Sequence, residues 1–263
     1  MKTIVVPDVH NKTHLVDDIL KYENHFDRVI ILGDVFDHFN DTAQIAKEVA
    51  TWVKTKLQDS RFVFLWGNHD VHYGVRSRKQ YCSGYSIEKD MAIWEVLNDN
   101  DFAKWRYFWF ESNFLLTHAG LHGKFLPPLW KRVDTQALQE FLSKEQELCR
   151  EAFQQAYGEH WFALFGDARN RTPRGVPIGG ILWCDANEEF EPIKGLSQIF
   201  GHTYQSVPTF IFGETGLGRI NDENTVLKMR VKANMDYNLA LDCSLRYYAI
   251  IRDDILKIKK TPH

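Results

Sequence analysis

Short β-branched runs alternate with amphipathic stretches along the first quarter of the chain. Thr3 to Val6 is β-branched throughout and is closed by Pro7, which predicts a buried strand. Asn11 to Tyr22 sets Leu15, Ile19 and Leu20 at helical spacing. Arg28 to Leu32 reads as a second buried strand, stopped by Gly33. Asp41 to Leu57 places Ile45, Val49, Trp52 and Val53 on one helical face, with Asp41 or Thr42 as its cap. Arg61 to Leu65 gives a third strand, ended by Gly67. Strand, helix, strand, helix, strand predicts parallel strands, right-handed connections and an α/β sheet.

The pattern then loosens. Ser86 to Leu97 and Thr135 to Tyr157 read as helices, and Asn113 to Leu116 as a short strand. Arg169 to Gly180, rich in Arg, Gly and Pro, reads as a loop. The last third holds short strand candidates at Leu182, Ile199–Phe200, Thr209–Phe212, Val226–Val231, Leu239–Leu241 and Tyr247–Ile251, the spacing of a meander or second sheet. The aromatic run Phe102 to Phe110 is expected to pack in the core or at an interface around a helix, and Lys257, Lys259 and Lys260 to form a solvated tail.

Composition narrows the class. The chain has 263 residues, 44% of them hydrophobic, and shows no linker or internal repeat. It reads as one domain over 1–263, with a helical and loop insertion at about 121–180. A formal net charge of −3 argues against nucleic acid as a dedicated partner. Cys82, Cys149, Cys184 and Cys243 form no CxxC pair and read as reduced and structural. No stretch reaches the roughly 18 apolar residues of a membrane span. The apolar run near the N-terminus is short for a signal peptide, so the expected location is cytoplasmic.

The chemistry lies where the strands end. Strand one is followed by Asp8-Val9-His10, strand two by Gly33-Asp34-Val35-Phe36-Asp37, and strand three by Gly67-Asn68-His69-Asp70. The strand near 115 is followed by His118, and the one near 199 by Gly201-His202. Sites in α/β sheets form at the carboxyl ends of strands, so these clusters should meet at one edge. Turn propensity accounts for the glycines and some aspartates but not for a histidine in four of the five clusters. Aspartate, histidine and asparagine donors suit manganese, iron, zinc or cobalt, and do not make a thiolate site. A carboxylate can bridge two such ions, and a pair about 3.5–4 Å apart can clamp a phosphoryl group.

The ordered set D-x-H, G-D-x-x-D, G-N-H-D, H and G-H, spanning Asp8 to His202, resembles the calcineurin-like metallophosphoesterase superfamily. The resemblance implies a four-layer α/β sandwich: two mixed β-sheets flanked by helices, with two divalent metal ions at one edge. Manganese is the first expectation, with iron, zinc, cobalt or nickel as alternatives. It implies that Asp8 and His10 bind one ion, that Asp34 bridges both, and that Asn68, His118 and His202 complete the second. A metal-bridging hydroxide would attack phosphorus in line. His69 would protonate the leaving oxygen, with Asp70 holding its ring.

Two details are similar to the phosphoprotein-phosphatase-like branch. Tyr204 stands where nucleases and phosphodiesterases carry the second His of G-H-x-H, and Ile181 to Asp185 resembles the branch's L-L-W-S-D segment. Ala240 to Asp242 is similar to its N-L-D segment in bacterial and phage members. Gly67 to His72, reading GNHDVH, looks like symmetrical diadenosine tetraphosphatases. One departure stands out: His38 follows Asp37 where the family usually has a phosphate-gripping Arg, so His38 or Arg174 is expected to bind substrate. The implied partner is a phosphorylated protein, metabolite or nucleotide. Phosphate monoester hydrolysis comes first, followed by diadenosine polyphosphate hydrolysis, a nuclease or phosphodiesterase, and a non-catalytic scaffold.

Overall fold

The computed structural model describes residues 1–38, 40–75, 81–154, 179–212, 216–219, 227–231, 236–253 and 255–262, with backbone alone at 149–154, 212, 216–219 and 227. Its first strands follow the apolar runs closely: β1 (Lys2–Val6), β2 (Arg28–Ile31) and β3 (Phe62–Phe64). They are parallel, with Thr3 opposite Arg28 and Val29 opposite Phe62. Between them run α1 (Thr13–Glu23) and α2 (Ala43–Lys56). The Thr42 side chain caps α2 by accepting from the Ile45 N–H at 3.3 Å.

Three short helices follow: α3 (Asn68–Gly74), α4 (Ile87–Trp94) and α5 (Asp99–Phe102). β4 (Phe108–Glu111) and β5 (Phe114–Thr117) come next, then α6 (Thr135–Gln154). The remaining strands are β6 (Ser197–Phe200), β7 (Thr209–Phe212), β8 (Gly216–Arg219), β9 (Leu227–Arg230), β10 (Asn238–Ala240), β11 (Tyr247–Arg252) and β12 (Ile255–Lys260).

Two mixed sheets result. One has the order β3-β2-β1-β11-β12-β9 and the other β4-β5-β6-β10-β7-β8. Strand side chains alternate between faces, and the burial shows both sides in use. Val5, Ile30, Leu116, Ile199, Leu239 and Ile251 share one apolar cluster between the sheets. Ile4, Val6, Val29 and Ile31 join Val16, Ile19, Val49 and Val53 of the helices in another. The layering is therefore helix, sheet, sheet, helix, with Leu138 and Leu142 of α6 packed in the cluster that also holds Leu115.

The structure corrects several expectations. Leu182 lies in a turn, because its backbone N–H and C=O run beside no strand partner among the described residues. The lysines near the C-terminus are no tail: Leu256 and Ile258 bury inward from β12, while Lys259 Nζ pairs with Glu23 Oε1 at 2.6 Å. The aromatic run does pack in the core, with the Trp66 and Trp105 ring centroids 4.9 Å apart and Phe108 in the cluster that holds Leu138 and Leu142 of α6, although Phe108 to Phe110 themselves form β4. The residues after Gly67 open α3, which the apolar pattern had not signalled. Residues 155–178, including most of the expected Arg-rich loop, fall outside the described residues.

Candidate metal centre

The carboxyl ends of β1, β2 and β3 in one sheet, and of β5 and β6 in the other, meet at a common edge. The chain turns sharply there. His10, Asp34, Asp37 and His202 all have left-handed backbones, with φ between 41° and 67°. Each such residue costs roughly 1–2 kcal/mol, and Asn, Asp and His tolerate it best. That strain is spent aiming side chains inward.

Two carboxylates, Asp8 and Asp34, are buried there. Each is backed by a glycine and held by the backbone N–H of a histidine. A Cβ on Gly201 would meet Asp8 Oδ1 at 2.2 Å, and the His202 N–H donates to that oxygen at 3.0 Å. A Cβ on Gly67 would meet Asp34 Oδ1 at 2.2 Å, and the His69 N–H donates to it at 2.9 Å. The G-N-H and G-H motifs are thus carboxylate cradles: glycine permits the approach and the histidine backbone fixes it.

The histidine rings are oriented from behind. His10 Nδ1–H donates to the Asp37 carbonyl at 2.6 Å, which turns Nε2 toward Asp34 Oδ2, 3.6 Å away. His118 Nδ1–H donates to the Leu32 carbonyl at 3.0 Å, leaving Nε2 3.4 Å from Asp34 Oδ2. Burial lowers the His118 pKa, and with Nδ1–H on the Leu32 carbonyl the neutral ring presents its lone pair at Nε2. That lone pair faces Asn68 Oδ1 at 2.9 Å and His202 Nδ1 at 3.1 Å. The Asn68 amide is oriented by its N–H group donating to Cys82 Sγ at 3.6 Å.

Carboxylate, amide and imidazole groups converging in this way are the donor set of a cation site. Two groups of this kind are present among the described residues: Asp8, His10 and Asp34, and Asp34, His118 and His202, each with candidate ligand atoms within 4.8 Å of one another. Asp34 belongs to both. Burial and then the Asp34 charge push the Asp8 carboxyl well above its usual range. Burial opposes ionisation of Asp34 too, but His118, His69, His10 and His202 outweigh it and hold the carboxyl low. Dications would relieve the Asp8–Asp34 repulsion.

Asp37 is the hub beside this cluster. Its Oδ1 accepts from Tyr73 Oη at 2.7 Å and from Lys89 Nζ at 2.7 Å. Its Oδ2 lies 3.1 Å from His72 Nε2 and 3.4 Å from His69 Nδ1. His72 Nδ1 accepts from the Cys82 N–H at 3.3 Å, so Nε2 carries the hydrogen that faces Asp37. Burial lowers the proton affinity of the His69 ring, but Asp34 and Asp37 outweigh it and push the pKa up to about 9.

The expected orienting residue was Asp70, and here the structure differs. Asp70 Oδ1 accepts from the N–H groups of Val35 and Phe36 at 2.8 and 3.1 Å, and Oδ2 from the Gly67 N–H at 3.0 Å. It ties the loop after β2 to the start of α3, and Asp37 meets the His69 ring in its place. His38 lines the cavity beside the cluster, and Arg174 lies outside the described residues. Tyr204 is 63% exposed and sits under Arg246, whose guanidinium is 5.4 Å from the ring centroid. It does not face the cluster. The Trp183 ring does, packing edge-on against His202 with centroids 5.7 Å apart.

A profile for calcineurin-like phosphoesterases matches residues 1–206. The chain belongs to this family. Its fold is shared with a metallophosphoesterase from Sphaerobacter thermophilus, at 13% identity and TM-score 0.51, covering 100% of this chain and 89% of that one. It is shared also with a serine/threonine phosphatase from Saccharomyces cerevisiae, at 9% identity and TM-score 0.52, covering 100% and 81%. A comparison with curated proteins matched none. The calcineurin-like phosphoesterase family is metal-dependent, and the two groups around Asp34 are where this member's donors converge. No helix among the described residues is long and apolar enough to cross a membrane.

Proposed function

We propose that this phosphoesterase hydrolyses phosphate monoesters, of proteins or small molecules, at a centre for two divalent ions. The observation that carries the reading is the double membership of Asp34, which gives two donor groups a common carboxylate. Asp8 and His10 would hold one ion, Asn68, His118 and His202 the other, and Asp34 both. Oxygen and imidazole donors without thiolate suit manganese, iron, zinc or cobalt, of which manganese is the first candidate. When bound, such ions supply Lewis acidity and an ionised water for in-line attack on phosphorus.

The chain's own residues do the rest. His69 lines the cavity with Nδ1 against Asp37, so its Nε2–H would serve to protonate the leaving oxygen. Asp37 keeps the ring oriented, and Tyr73 and Lys89 keep Asp37 ionised and fixed. Asp70 supports this at one remove, by tying the two loops together. His38 and Arg174 remain candidates for contacting substrate.

A hydrolysis panel in manganese tests the reading: p-nitrophenyl phosphate, bis-p-nitrophenyl phosphate, phosphoserine and phosphotyrosine peptides and diadenosine tetraphosphate, with Asp34→Asn as control. Monoester turnover abolished in the variant is the expected result. Preference for the diester or for diadenosine tetraphosphate would replace the monoester reading. No turnover on any substrate, with metal bound, would reduce it to a scaffold.

A further inference from the structure

Beside the candidate metal centre is a cavity of about 330 Å³, lined by His10, His69, Lys12, Gly84, Cys243 and Ser244 among others. Both the proposed acid, His69, and one proposed metal ligand, His10, open onto it. Lys12 is its one lysine or arginine among the described residues. Among the described residues the ammonium forms no ion pair. Nζ donates to the Ser244 carbonyl at 3.1 Å, which uses one of its three donors and sets its position without cancelling its charge.

The other charged groups at the cavity are already engaged. Asp37 is saturated by Tyr73, Lys89, His72 and His69. Burial and then Asp8, Asp242 and Asp34 push the Cys243 thiol up to about 12, so that wall is neutral. Arg246, nearby in sequence, has Nε on Asp242 at 2.7 Å and a terminal nitrogen on the Gln205 carbonyl at 2.6 Å. His38 also lines the cavity. Beside His69, which is paired with Asp37, the one lysine or arginine charge lining the cavity among the described residues is that of Lys12.

We propose that Lys12 binds the non-bridging phosphoryl oxygens of the substrate and makes the site select dianionic monoesters over monoanionic diesters. This rests on the phosphoesterase reading above and adds the residue that sets its specificity. A lysine is a compact point charge with rotatable donors, suited to a phosphate whose orientation is fixed by other groups. Its interaction scales with the charge of the phosphoryl group, so the second negative charge of a monoester is where it gains most.

The test uses manganese-loaded wild type, Lys12→Met and Lys12→Arg. Binding of inorganic phosphate is measured by calorimetry, and kcat/KM for p-nitrophenyl phosphate and bis-p-nitrophenyl phosphate by absorbance. Metal content and thermal melting confirm that each variant is loaded and folded. Lys12→Met should weaken phosphate binding roughly 10–100-fold, the usual worth of a charged hydrogen bond. The monoester-to-diester ratio should fall by a similar factor, and Lys12→Arg should recover most of both. Unchanged phosphate affinity or an unchanged ratio in a folded, loaded Lys12→Met would overturn the role of Lys12 while leaving the phosphoesterase standing. A wild type that turns over no phosphoester, yet loses phosphate affinity on Lys12→Met, would remove the activity and keep the anion site. A wild type that does not bind phosphate would remove both.

Discussion

His69 Nδ1 lies 3.4 Å from Asp37 Oδ2, while both oxygens of Asp70, its neighbour in the chain, accept from backbone N–H groups. The two aspartates should therefore fail differently. Asp37→Asn should slow turnover roughly 10–100-fold, as loss of an orienting partner does. The loss should be larger on alkyl phosphates than on p-nitrophenyl phosphate, whose leaving group needs little protonation. Asp70→Asn should lower the melting temperature, at a cost of about 1–3 kcal/mol for disturbed buried hydrogen bonds, and leave the leaving-group dependence alone. Steady-state kinetics on both ester types together with thermal melts distinguish the two. A leaving-group effect confined to Asp70→Asn would reverse the assignment.

Asp34 belongs to both donor groups, so its loss should empty both. Asp34→Asn should bind manganese more weakly than the roughly 10–100-fold deficit typical of a partner outside the ligand set. Metal per chain, measured by elemental analysis after dialysis, is expected to drop toward zero. One ion retained at wild-type affinity would show that Asp34 does not bridge.

The glycine cradles give a steric test. Gly201→Ala would drive a Cβ to 2.2 Å from Asp8 Oδ1, and that carboxylate must give way. Asp8 cannot move without losing the His202 N–H. Metal affinity should fall with little change in secondary structure. Wild-type metal titration by Gly201→Ala, read by calorimetry, would mean that Asp8 is not a ligand.

A fourth prediction lies far from the site. Glu23 is buried, with Lys2 Nζ on Oε2 at 2.6 Å, and Tyr248 Oη and Lys259 Nζ on Oε1 at 2.5 and 2.6 Å. Burial raises its pKa, but the bonds from Lys2, Lys259 and Tyr248 outweigh this and lower it overall. A carboxyl that ionises more readily when folded stabilises the fold fully above its unfolded value, about 4.3, and less as pH falls through the folded one. Glu23→Gln should cost about 1–3 kcal/mol at pH 7, and the gap to wild type should close below about pH 4. Urea melts at pH 7, 5, 4 and 3 measure it; a gap that widens in acid would contradict the sign.

Much of the site was legible because each candidate ligand follows a strand that the apolar pattern marks clearly. Val6 before Asp8, Leu32 before Asp34 and Leu116 before His118 are cases in point. Ring orientation was not legible. Left-handed φ at Asp34 and Asp37 turns the Asp37 carboxylate back toward His69, and nothing in a linear pattern shows that. Lys89 was missed for a similar reason: a lysine on an amphipathic helix reads as solvated until tertiary structure places Asp37 and Asp41 around it, at 2.7 and 2.8 Å. β12 did carry a period of two, Leu256 and Ile258 between lysines, but the lysines dominated the reading. β4 was hidden because consecutive aromatics in Phe108 to Phe110 blur alternation.

β1 pairs with β2 on one edge and with β11 on the other, Lys2 lying opposite Arg252. A chain emerging from the ribosome can therefore assemble β1, β2 and β3 early, yet must wait for β11 before the other edge of β1 is covered. Until then that edge presents unpaired backbone donors and acceptors to any other strand. Asp8, at the end of the same strand, waits likewise for the backbone of His202. Long-range closure of this kind is slow. Synthesis of this protein thus includes an interval in which its first sheet is open to wrong partners, and chaperone demand should track that interval.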